Sequence, residues 1–370
     1  NGISSYVFRA NYNYNSTYYL GGSVRKDGLS KLPENNRWGW FYGGSFAVRL
    51  SEMGFWKGIK NIVNDFRLRG SIAQVGNEDI GSFSYLDTFS AQLYGSQAGI
   101  SYSQTGNSNL KWEKQNIYDI GAELSFLNRF NFTAAYWKKK NTDIVLQAPT
   151  PPSLGVPGNV ISQNVGSLVN HGLEFELSGK VVKTNDFEYN LSLNFSTQYN
   201  KVTKLLSDMM YQFTIIREGE SMRSLYGFEY MGVNMANGYP LYKKADNTIV
   251  QGNPTNSNYY VYDAANPGTL GALSSLSASD KKILGNTIPK WFGGVDNNFK
   301  YKNFDMNIFF RFSGGNKVAN VTRRDMMTMS FQNNSTEILD RWQSTSNPGN
   351  GDVPIIMSGK GSFLNLESDG

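Results

Sequence analysis

The segment from Phe187 to Tyr199 alternates apolar and polar side chains at every second position. One parity carries Phe187, Tyr189, Leu191, Leu193, Phe195 and Tyr199, interrupted only at Thr197, and the other carries Glu, Asn, Ser and Gln. Side chains of a β-strand alternate between its two faces, so this strand would have one apolar and one wholly polar face. Aromatic residues at both ends of an apolar stripe are typical of a transmembrane barrel strand, although a strand of a soluble sandwich alternates too.

The same alternation recurs along most of the chain, and this recurrence decides the fold class. Further stripes run over 6–14, 118–126, 130–136, 173–177, 291–301 and 304–312. We count about 10 to 12 such segments, each near the 9–11 residues that a tilted strand needs to cross a bilayer. The pattern predicts an all-β fold, a partial transmembrane antiparallel β-barrel. We expect eight side chains to face lipid: Tyr189, Leu191, Leu193, Phe195, Phe304, Met306, Ile308 and Phe310.

Connections between the stripes alternate between tight turns and long segments. Tight turns are expected at 13–17, 127–129, 183–186 and 302–303, and long connections at 74–110, 148–163, 201–222, 234–289 and 320 to the end. Barrel proteins place short turns on the periplasmic side and long loops outside the cell, so the long segments predict a large extracellular surface. The link 51–60 is predicted to form one helical turn beginning at Ser51 and Glu52.

Composition agrees with a barrel and excludes other classes of protein. Hydrophobic residues make up only 39% of the 370 residues, yet 14% are aromatic, because a barrel needs apolar side chains on one face alone. Cysteine is absent, which rules out disulfides and thiolate metal sites. The net charge of +5 is too small to indicate nucleic-acid binding.

The two ends of the chain bear on its domain organisation. It begins on Asn1 without a methionine or a signal peptide, and it ends in the loop-like stretch GSFLNLESDG. About 10 to 12 strands with two open edges would leave unpaired backbone in lipid, which is not viable. We therefore expect residues 1–370 to be part of one barrel domain whose remaining strands lie outside this sequence.

Several motifs, in order along nearly the whole chain, resemble the barrel of SusC/RagA-type TonB-dependent transporters of the bacterial outer membrane. They are YLGGSVRKDG (19–28), FRLRGSIAQVGN (66–77), NLKWE (109–113), NVGSLVNHGLE (164–174), the segments 226–242 and 288–305, and LDRW (339–342). Ala73 stands where the family often has glycine. Each motif alone is weakly specific, whereas the ordered series is specific.

The resemblance implies a function and partners that the residues themselves do not carry. It implies a barrel of about 22 strands around an N-terminal plug domain, which is not in this sequence. It also implies active import of a large nutrient, a glycan or an oligopeptide, without enzymatic activity. Energy would come from TonB–ExbB–ExbD through the missing N-terminal region. A SusD-like lipoprotein would form a lid, and transporter–lipoprotein pairs would dimerise.

Other functions stay open at this point. A structural or scaffolding outer-membrane barrel and a passive porin would have the same strands, while a soluble adhesin or lectin fits the strand lengths poorly. One departure from the family concerns calcium: many members carry an Asp- and Asn-rich run where this chain reads DAANPGTLGALSSLSASDKKILG. Because Ca²⁺ needs six to eight oxygen ligands, we expect none there.

Candidate chemistry is sparse. His171 is the only histidine and is interpreted as an interfacial polar residue, because a metal site seldom stands on one imidazole. Glu174 and Glu176 share a face and could in principle form a glycosidase pair, although a solvated wall is the simpler interpretation. The run Lys138–Lys140 is placed at a strand end, as a solvated rim that could touch acidic lipid head groups. We expect no catalytic, cofactor-binding or metal site.

The polar faces of the strands are the candidate functional surface. If the aromatic stripes face lipid, eight polar residues point into the lumen, towards a plug domain or a substrate path: Arg9, Asn11, Arg67, Arg69, Glu123, Glu174, Glu176 and Arg311. Five loop tyrosines are candidates for contact with a sugar, a peptide or the lid protein: Tyr85, Tyr94, Tyr102, Tyr259 and Tyr260. Tyrosine is enriched at all such interfaces, so its presence does not select among them.

Overall fold

The computed structural model describes residues 2–327 and 333–356, and its regular structure is almost entirely β-strand. In chain order the strands are β1 (Ile3–Tyr14), β2 (Tyr18–Leu29), β3 (Trp38–Arg49), β4 (Val63–Asn77), β5 (Thr88–Tyr94), β6 (Gln97–Gln104), β7 (Glu113–Phe126), β8 (Phe130–Pro149), β9 (Val160–Lys183), β10 (Phe187–Thr197), β11 (Tyr199–Lys204), β12 (Met209–Met210), β13 (Thr214–Ile216), β14 (Ser224–Gly227), β15 (Glu229–Val233), β16 (Pro240–Lys243), β17 (Ile249–Asn253), β18 (Asn258–Val261), β19 (Leu273–Ser274), β20 (Lys282–Gly285), β21 (Trp291–Tyr301) and β22 (Phe304–Gly314).

Helices are few and short. One α-helix, α1, spans Val321–Met326, and 3₁₀ turns occur at Glu34–Asn36, Leu50–Glu52, Gly54–Trp56, Pro152–Leu154, Pro157–Asn159, Ala278–Asp280 and Thr336–Asp340. Within residues 2–327 and 333–356, no helix has the length and apolarity needed to cross a bilayer.

The chain divides into two compact units. Unit 1 contains residues up to 208 together with 217–221 and 289–315, and unit 2 contains 209–216, 222–288 and the described residues from 316 onward. Unit 1 carries a large sheet in the order β1-β2-β3-β4-β7-β8-β9-β10-β21-β22, with β11 added against β9, and a separate β5–β6 hairpin. Every pair of neighbours in the large sheet is antiparallel. Its eleven strands confirm the predicted number.

Side-chain parity is continuous across the large sheet. Leu193 of β10 lies opposite Leu177 of β9 and Val295 of β21, and Val295 lies opposite Phe310 of β22. Residues of this parity form what we call the apolar face, and the opposite parity forms the polar face. All eight residues predicted to face lipid lie on the apolar face. The sheet therefore has the two-sided character that the alternating pattern predicts.

The sheet has a short-turn end and a long-loop end. At the short-turn end, β1–β2, β7–β8, β9–β10 and β21–β22 are joined by tight turns, and this confirms the four predicted turns. The turn between β7 and β8 places Leu127 and Asn128 at φ values of 54° and 53°. Two consecutive left-handed residues match the right-handed twist of the flanking strands, so the turn stays short without glycine.

Several predicted loop bounds are wrong because the strands continue beyond the bilayer-length stripes. β4 runs to Asn77, so the predicted loop 74–110 starts inside a strand, and the connection continues past residue 110 until β7 begins at Glu113. The hairpin β8–β9 likewise narrows the predicted connection 148–163 to 150–159. The predicted loops 201–222 and 234–289 contain short strands of their own. Of the connection predicted from 320 onward, residues 328–332 and 357–370 lie outside the described residues.

The link after β3 forms two 3₁₀ turns, not one helical turn beginning at Ser51. Ser51 lies within the first turn, is buried, and donates its hydroxyl to Asp65. Asp65 also accepts from Arg49 Nε at 2.7 Å. The Ser51 hydroxyl is therefore bound by a carboxylate of the neighbouring strand, and Ser51 does not begin a helical turn.

Unit 2 has its own sheets and core. One sheet follows the order β12-β13-β14-β20, and the other follows β15-β16-β17-β18-β19. Phe228, Tyr242 and Val250 are buried at the centre of an aromatic cluster. Trp342, from the LDRW motif, is buried and donates its indole N–H to the Met235 carbonyl at 2.9 Å. The motif therefore has a packing role in this unit.

Gly172 of β9 lies where the chain passes from β10 to β11. A Cβ at this position would overlap the carbonyl oxygen of Thr197, the last residue of β10. The second glycine of the NVGSLVNHGLE motif is therefore required by the close approach of a neighbouring backbone.

We expect Gly172→Ala to destabilise the folded barrel by about 1–3 kcal/mol, because the backbone carbonyl must move to admit a methyl group. Gly22→Ala is the matched control, since a Cβ there would meet no atom within 4 Å. The measurement is the thermal midpoint of loss of heat-resistant electrophoretic mobility for the full-length protein in detergent. Equal midpoints for the two variants would contradict this packing argument.

Candidate functional site

An ion-pair network lies on the polar face of β4 and β7. Arg67 donates from Nε to Glu123 Oε2 at 2.9 Å and contacts the same oxygen through Nη2. Arg69 Nε lies 3.1 Å from Glu123 Oε1, and its Nη1 donates to Asp119. Cross-strand register creates these contacts, because Arg67 is paired with Glu123 and Arg69 with Gly121. Two arginines and two carboxylates therefore neutralise one another within the wall.

The other predicted lumen residues occupy the same face but do not join this network. Glu174 and Glu176 lie on β9, separated from β7 by β8, opposite Ala135 and Thr133. Within the described residues neither takes part in an ion pair. Arg9 and Asn11 lie on β1, and Arg311 lies on β22, at opposite edges of the sheet. The eight candidates thus share a face without forming one cluster.

Several charged residues of this face were not among the predicted candidates. Arg25 Nη2 contacts Asp27 Oδ2 at 2.5 Å, and Arg49 binds Asp65, so each cation has a carboxylate partner. Asp119 completes the network around Arg69. The signal that could have found three of them is parity. Asp65 and Asp119 each lie an even number of residues from a predicted candidate on the same strand, and Arg49 pairs with Arg67.

A β-bulge places two lysines on the polar face at the short-turn end. Asn190 pairs with Lys180 while Tyr189 pairs with Val182, so Val181 is extra in β9. Lys180 and Lys183 are three residues apart, and simple alternation would put them on opposite faces. The bulge instead directs both to the polar side, where Lys180 Nζ lies 3.1 Å from Glu188 Oε1. They line an open concavity of about 900 Å³.

A small apolar core lies at the long-loop end of unit 1. It consists of Leu29, Leu32, Phe41, Ile80, Leu110 and Trp112. Pairing of β3 with β4 stops at Gly43 and Ala73, although both strands continue. Gly39 on β3 and Gly76 on β4 both contact the Phe41 ring, so this ring occupies the space where the strands separate. Trp112, from the NLKWE motif, donates to the Arg37 carbonyl at 2.9 Å.

The three tyrosine candidates of unit 1 differ in solvent exposure and in the contacts they make. Tyr94 is 89% exposed at the tip of the β5–β6 hairpin, whereas Tyr85 packs against the apolar core. Tyr102 donates its hydroxyl to Asp87 at 2.8 Å. The Gly106 backbone N–H and this hydroxyl hold the pKa of Asp87 below its usual range.

The two tyrosine candidates of unit 2 are partly engaged in its fold. Tyr259 packs edge-on against Tyr242 with ring centroids 6.2 Å apart, and burial raises the pKa of the Tyr259 hydroxyl. The Tyr260 hydroxyl accepts from Asn256 Nδ2 at 2.7 Å. Among the five candidates, Tyr94 alone is almost fully available to an external ligand.

His171 lies on the apolar face between two tyrosines. Its ring centroid is 4.8 Å from that of Tyr199 and 6.2 Å from that of Tyr136.

The prediction that Lys138–Lys140 lies at a strand end is wrong, because β8 continues to Pro149. Within the described residues, no three His, Asp or Glu side chains gather as a metal site would require.

The comparisons with known proteins agree with this two-faced sheet. A sequence model of the family described as "TonB dependent receptor-like, beta-barrel" matches residues 3–218, more than half of the chain. The chain belongs to this family. The motif resemblance is thereby confirmed, and the all-β barrel class with it. Members of the TonB-dependent receptor family are receptors and transporters, so the chain is not an enzyme.

Individual relatives match almost the whole chain. TonB-dependent receptor P3 of Formosa agariphila is 30% identical over 368 residues, covering 94% of this chain and 35% of the relative. TonB-dependent receptor SusC of Bacteroides thetaiotaomicron is 29% identical over 380 residues, covering 98% and 36%. The structure of the RagAB peptide transporter matches with a TM-score of 0.82 and 25% identity over 96% of this chain and 38% of that chain. The chain thus spans about a third of the length of the curated relatives it matches.

Loss of the shared carboxylate tests the network. We expect Glu123→Gln to lower the free energy of unfolding by about 1 kcal/mol, because Arg67 loses its only ion pair in the described structure; partial exposure keeps the effect small. Glu176→Gln, on the same face without such a pair, should change it by less than about 0.5 kcal/mol. Thermal midpoints of the two full-length variants in detergent decide this. Equal shifts would mean that the network adds no stability.

Proposed function

We propose that the whole protein is an outer-membrane importer of a large nutrient, either a glycan or an oligopeptide, driven by TonB. The observation that carries this proposal is the apolar face of the eleven-stranded sheet, which unit 1 leaves uncovered, backed by a polar face rich in paired charges. Similarity to SusC and to the RagAB peptide transporter supports it. The two-sided sheet favours a lipid-facing wall around a wet lumen.

Aromatic side chains border the apolar face at both ends. Tyr14, Tyr18, Phe126, Phe130, Phe187, Tyr301 and Phe304 lie towards the short-turn end, and Tyr6, Trp38, Trp40, Tyr42, Tyr118, Tyr136, Tyr199 and Trp291 towards the long-loop end. On β7, Tyr118 and Phe126 are eight residues apart, about 27 Å along the strand. Tilted strands of this span match the apolar band of about 25 Å that is typical of membrane barrels.

In this proposal the polar face lines the lumen, and five of its eight predicted residues fall into two roles. Arg67, Arg69 and Glu123 stiffen the wall, since their charges are already satisfied. Glu174 and Glu176 are the groups left to bind a plug domain or a passing substrate. A ligand shifts an equilibrium only through differential affinity, so uptake requires that the coupled state hold it more weakly than the resting state.

Partners follow from the same proposal. The long-loop end would face outwards, where a SusD-like lipoprotein would cover the loops, and such pairs would dimerise. Coupling to TonB–ExbB–ExbD would run through sequence outside this chain. The exposed Tyr94 would then be available to the lid or the nutrient.

Placing a charge on the apolar face tests the membrane orientation. We expect Leu193→Arg, midway between Phe187 and Tyr199, to destabilise the inserted barrel by about 2–4 kcal/mol. Asn194→Arg is the matched control on the polar face of the same strand, where Glu176 lies opposite, and should change stability by less than about 0.5 kcal/mol. Unfolding by denaturant in lipid vesicles measures both. A larger effect at Asn194 would reverse the assignment of the two faces.

Uptake in cells tests import and its energy source. We expect cells with the full-length protein to take up labelled glycan or labelled peptide, and to lose most uptake when TonB or the partner lipoprotein is deleted. Cells that lack the protein provide the background. Uptake that is equal with and without TonB would favour a passive porin, and no uptake of either label would favour a scaffold.

A further inference from the structure

Charged side chains on the apolar face have one sign and lie at one end. The paired positions of this face hold six lysines, all towards the long-loop end: Lys26, Lys114, Lys138, Lys140, Lys201 and, past a bulge in β11, Lys204. None of the paired apolar-face positions holds Asp or Glu. The corresponding row at the short-turn end carries aromatic residues without lysine. A random scatter of surface charge would not produce this asymmetry.

Three of these lysines are neighbours around β9. Lys138 pairs with His171, which pairs in turn with Tyr199, so this lysine lies in the aromatic row. Lys140 and Lys201 both pair with Val169, one from each side, and lie one step further towards the long-loop end. The three lysines therefore lie on neighbouring strands at the rim of the aromatic row, and their long flexible stems would let them bind one shared ligand.

Lys26 repeats the arrangement on β2. Its Nζ lies 5.2 Å from the ring centroid of Trp38 and 5.4 Å from that of Trp40. Two indoles hold the ammonium at the rim while leaving its outer side open. The rim thus combines aromatic and cationic side chains at two separate places on the sheet.

These lysines lack the carboxylate partners that some other lysines of unit 1 have. Lys111 Nζ lies 3.0 Å from Asp143, and Lys180 Nζ lies 3.1 Å from Glu188. In the part of the chain that the structure describes, no ion pair involves Lys26, Lys138, Lys140 or Lys201. Clustered cations without anions repel one another, so an anion from outside the sheet would stabilise them.

We propose that this lysine rim (Lys26, Lys138, Lys140 and Lys201) binds the phosphate groups of anionic glycolipid headgroups in the outer leaflet. The inference rests on the proposed membrane insertion, which places the rim at headgroup level, in and just beyond the aromatic row. Phosphate suits it because an ammonium is a compact point charge that binds phosphate oxygens without a fixed geometry. Each basic side chain near an anionic surface strengthens attraction about fivefold. The bound lipid would fix the height of the long-loop end in the membrane.

The test uses the full-length protein in nanodiscs of phosphatidylcholine that contain either phosphorylated lipid A or lipid A dephosphorylated by phosphatase. Retained lipid A is quantified by mass spectrometry after mild detergent exchange. We expect the wild type to retain the phosphorylated form at least about tenfold better. The variant K26Q/K138Q/K140Q/K201Q should lose this preference. The variant K57Q/K183Q/K300Q/K302Q, which removes equal charge at or near the short-turn end, should keep it.

The outcomes separate this inference from the proposed function. Insertion is scored independently, by heat-resistant mobility of each reconstituted protein. If the wild type inserts but shows no preference, or if both quadruple variants lose it equally, the lysine rim is not a headgroup site and the importer proposal is untouched. If the wild type fails to insert into any bilayer, both proposals are overturned.

Discussion

Paired backbone hydrogen bonds hold Leu193 opposite Leu177 and Val295, and the same pairing continues strand by strand from β1 to β22. Because the side-chain period is two, a slip of one residue in any ladder would move a whole strand's apolar set to the polar face. Bulges are the permitted exceptions. The extra residue Val181 lies near the short-turn end of β9. It therefore changes the face on which Lys183 lies and leaves Leu177 on the apolar face. Register is thus what makes one surface apolar and the other polar.

The ion pairs of the polar face follow from this register. Arg67 and Glu123 can meet because they are direct cross-strand partners, and Arg69 reaches both Glu123 and Asp119 because these flank its partner Gly121. Gly121 leaves the room that the guanidinium occupies, since a Cβ there would lie 3.3 Å from Arg69 Nε. The wall in this sector is self-neutralised. On β9, by contrast, Glu174 and Glu176 face Ala135 and Thr133, so the same fold leaves two carboxylates for other groups.

The sheet could be predicted from sequence because parity is a local signal that many residues repeat. Phe187–Tyr199 shows both its stripe and, at Thr197, the break where β10 ends and β11 begins. What could not be predicted depends on contacts distant in sequence. The end of β8 at Pro149 is set by pairing with Val160 beyond the bilayer-length stripe, and the burial of Ser51 is set by Asp65 on another strand. Lys183 faces the way it does because of a bulge that alternation alone does not reveal. The sequence around Tyr259 indicates an exposed loop tyrosine and does not show that its ring packs on Tyr242.

The apolar residues of this chain serve three surroundings, and this explains why composition alone is ambiguous. Some lie on the apolar face, where side chains such as Phe304 remain 78% exposed because the large sheet packs nothing over them. Others form compact cores of the kind found in soluble domains, around Trp112 in unit 1 and around Tyr242 in unit 2. A core aromatic is held by neighbours on every side, so its replacement leaves a cavity. An apolar-face aromatic has only its cross-strand neighbours, as Phe126 has Phe130 at 5.3 Å, so its remaining surface must be satisfied by the surroundings of the sheet. The eleven strands therefore specify an environment as well as a fold, and lipid is the environment that matches them.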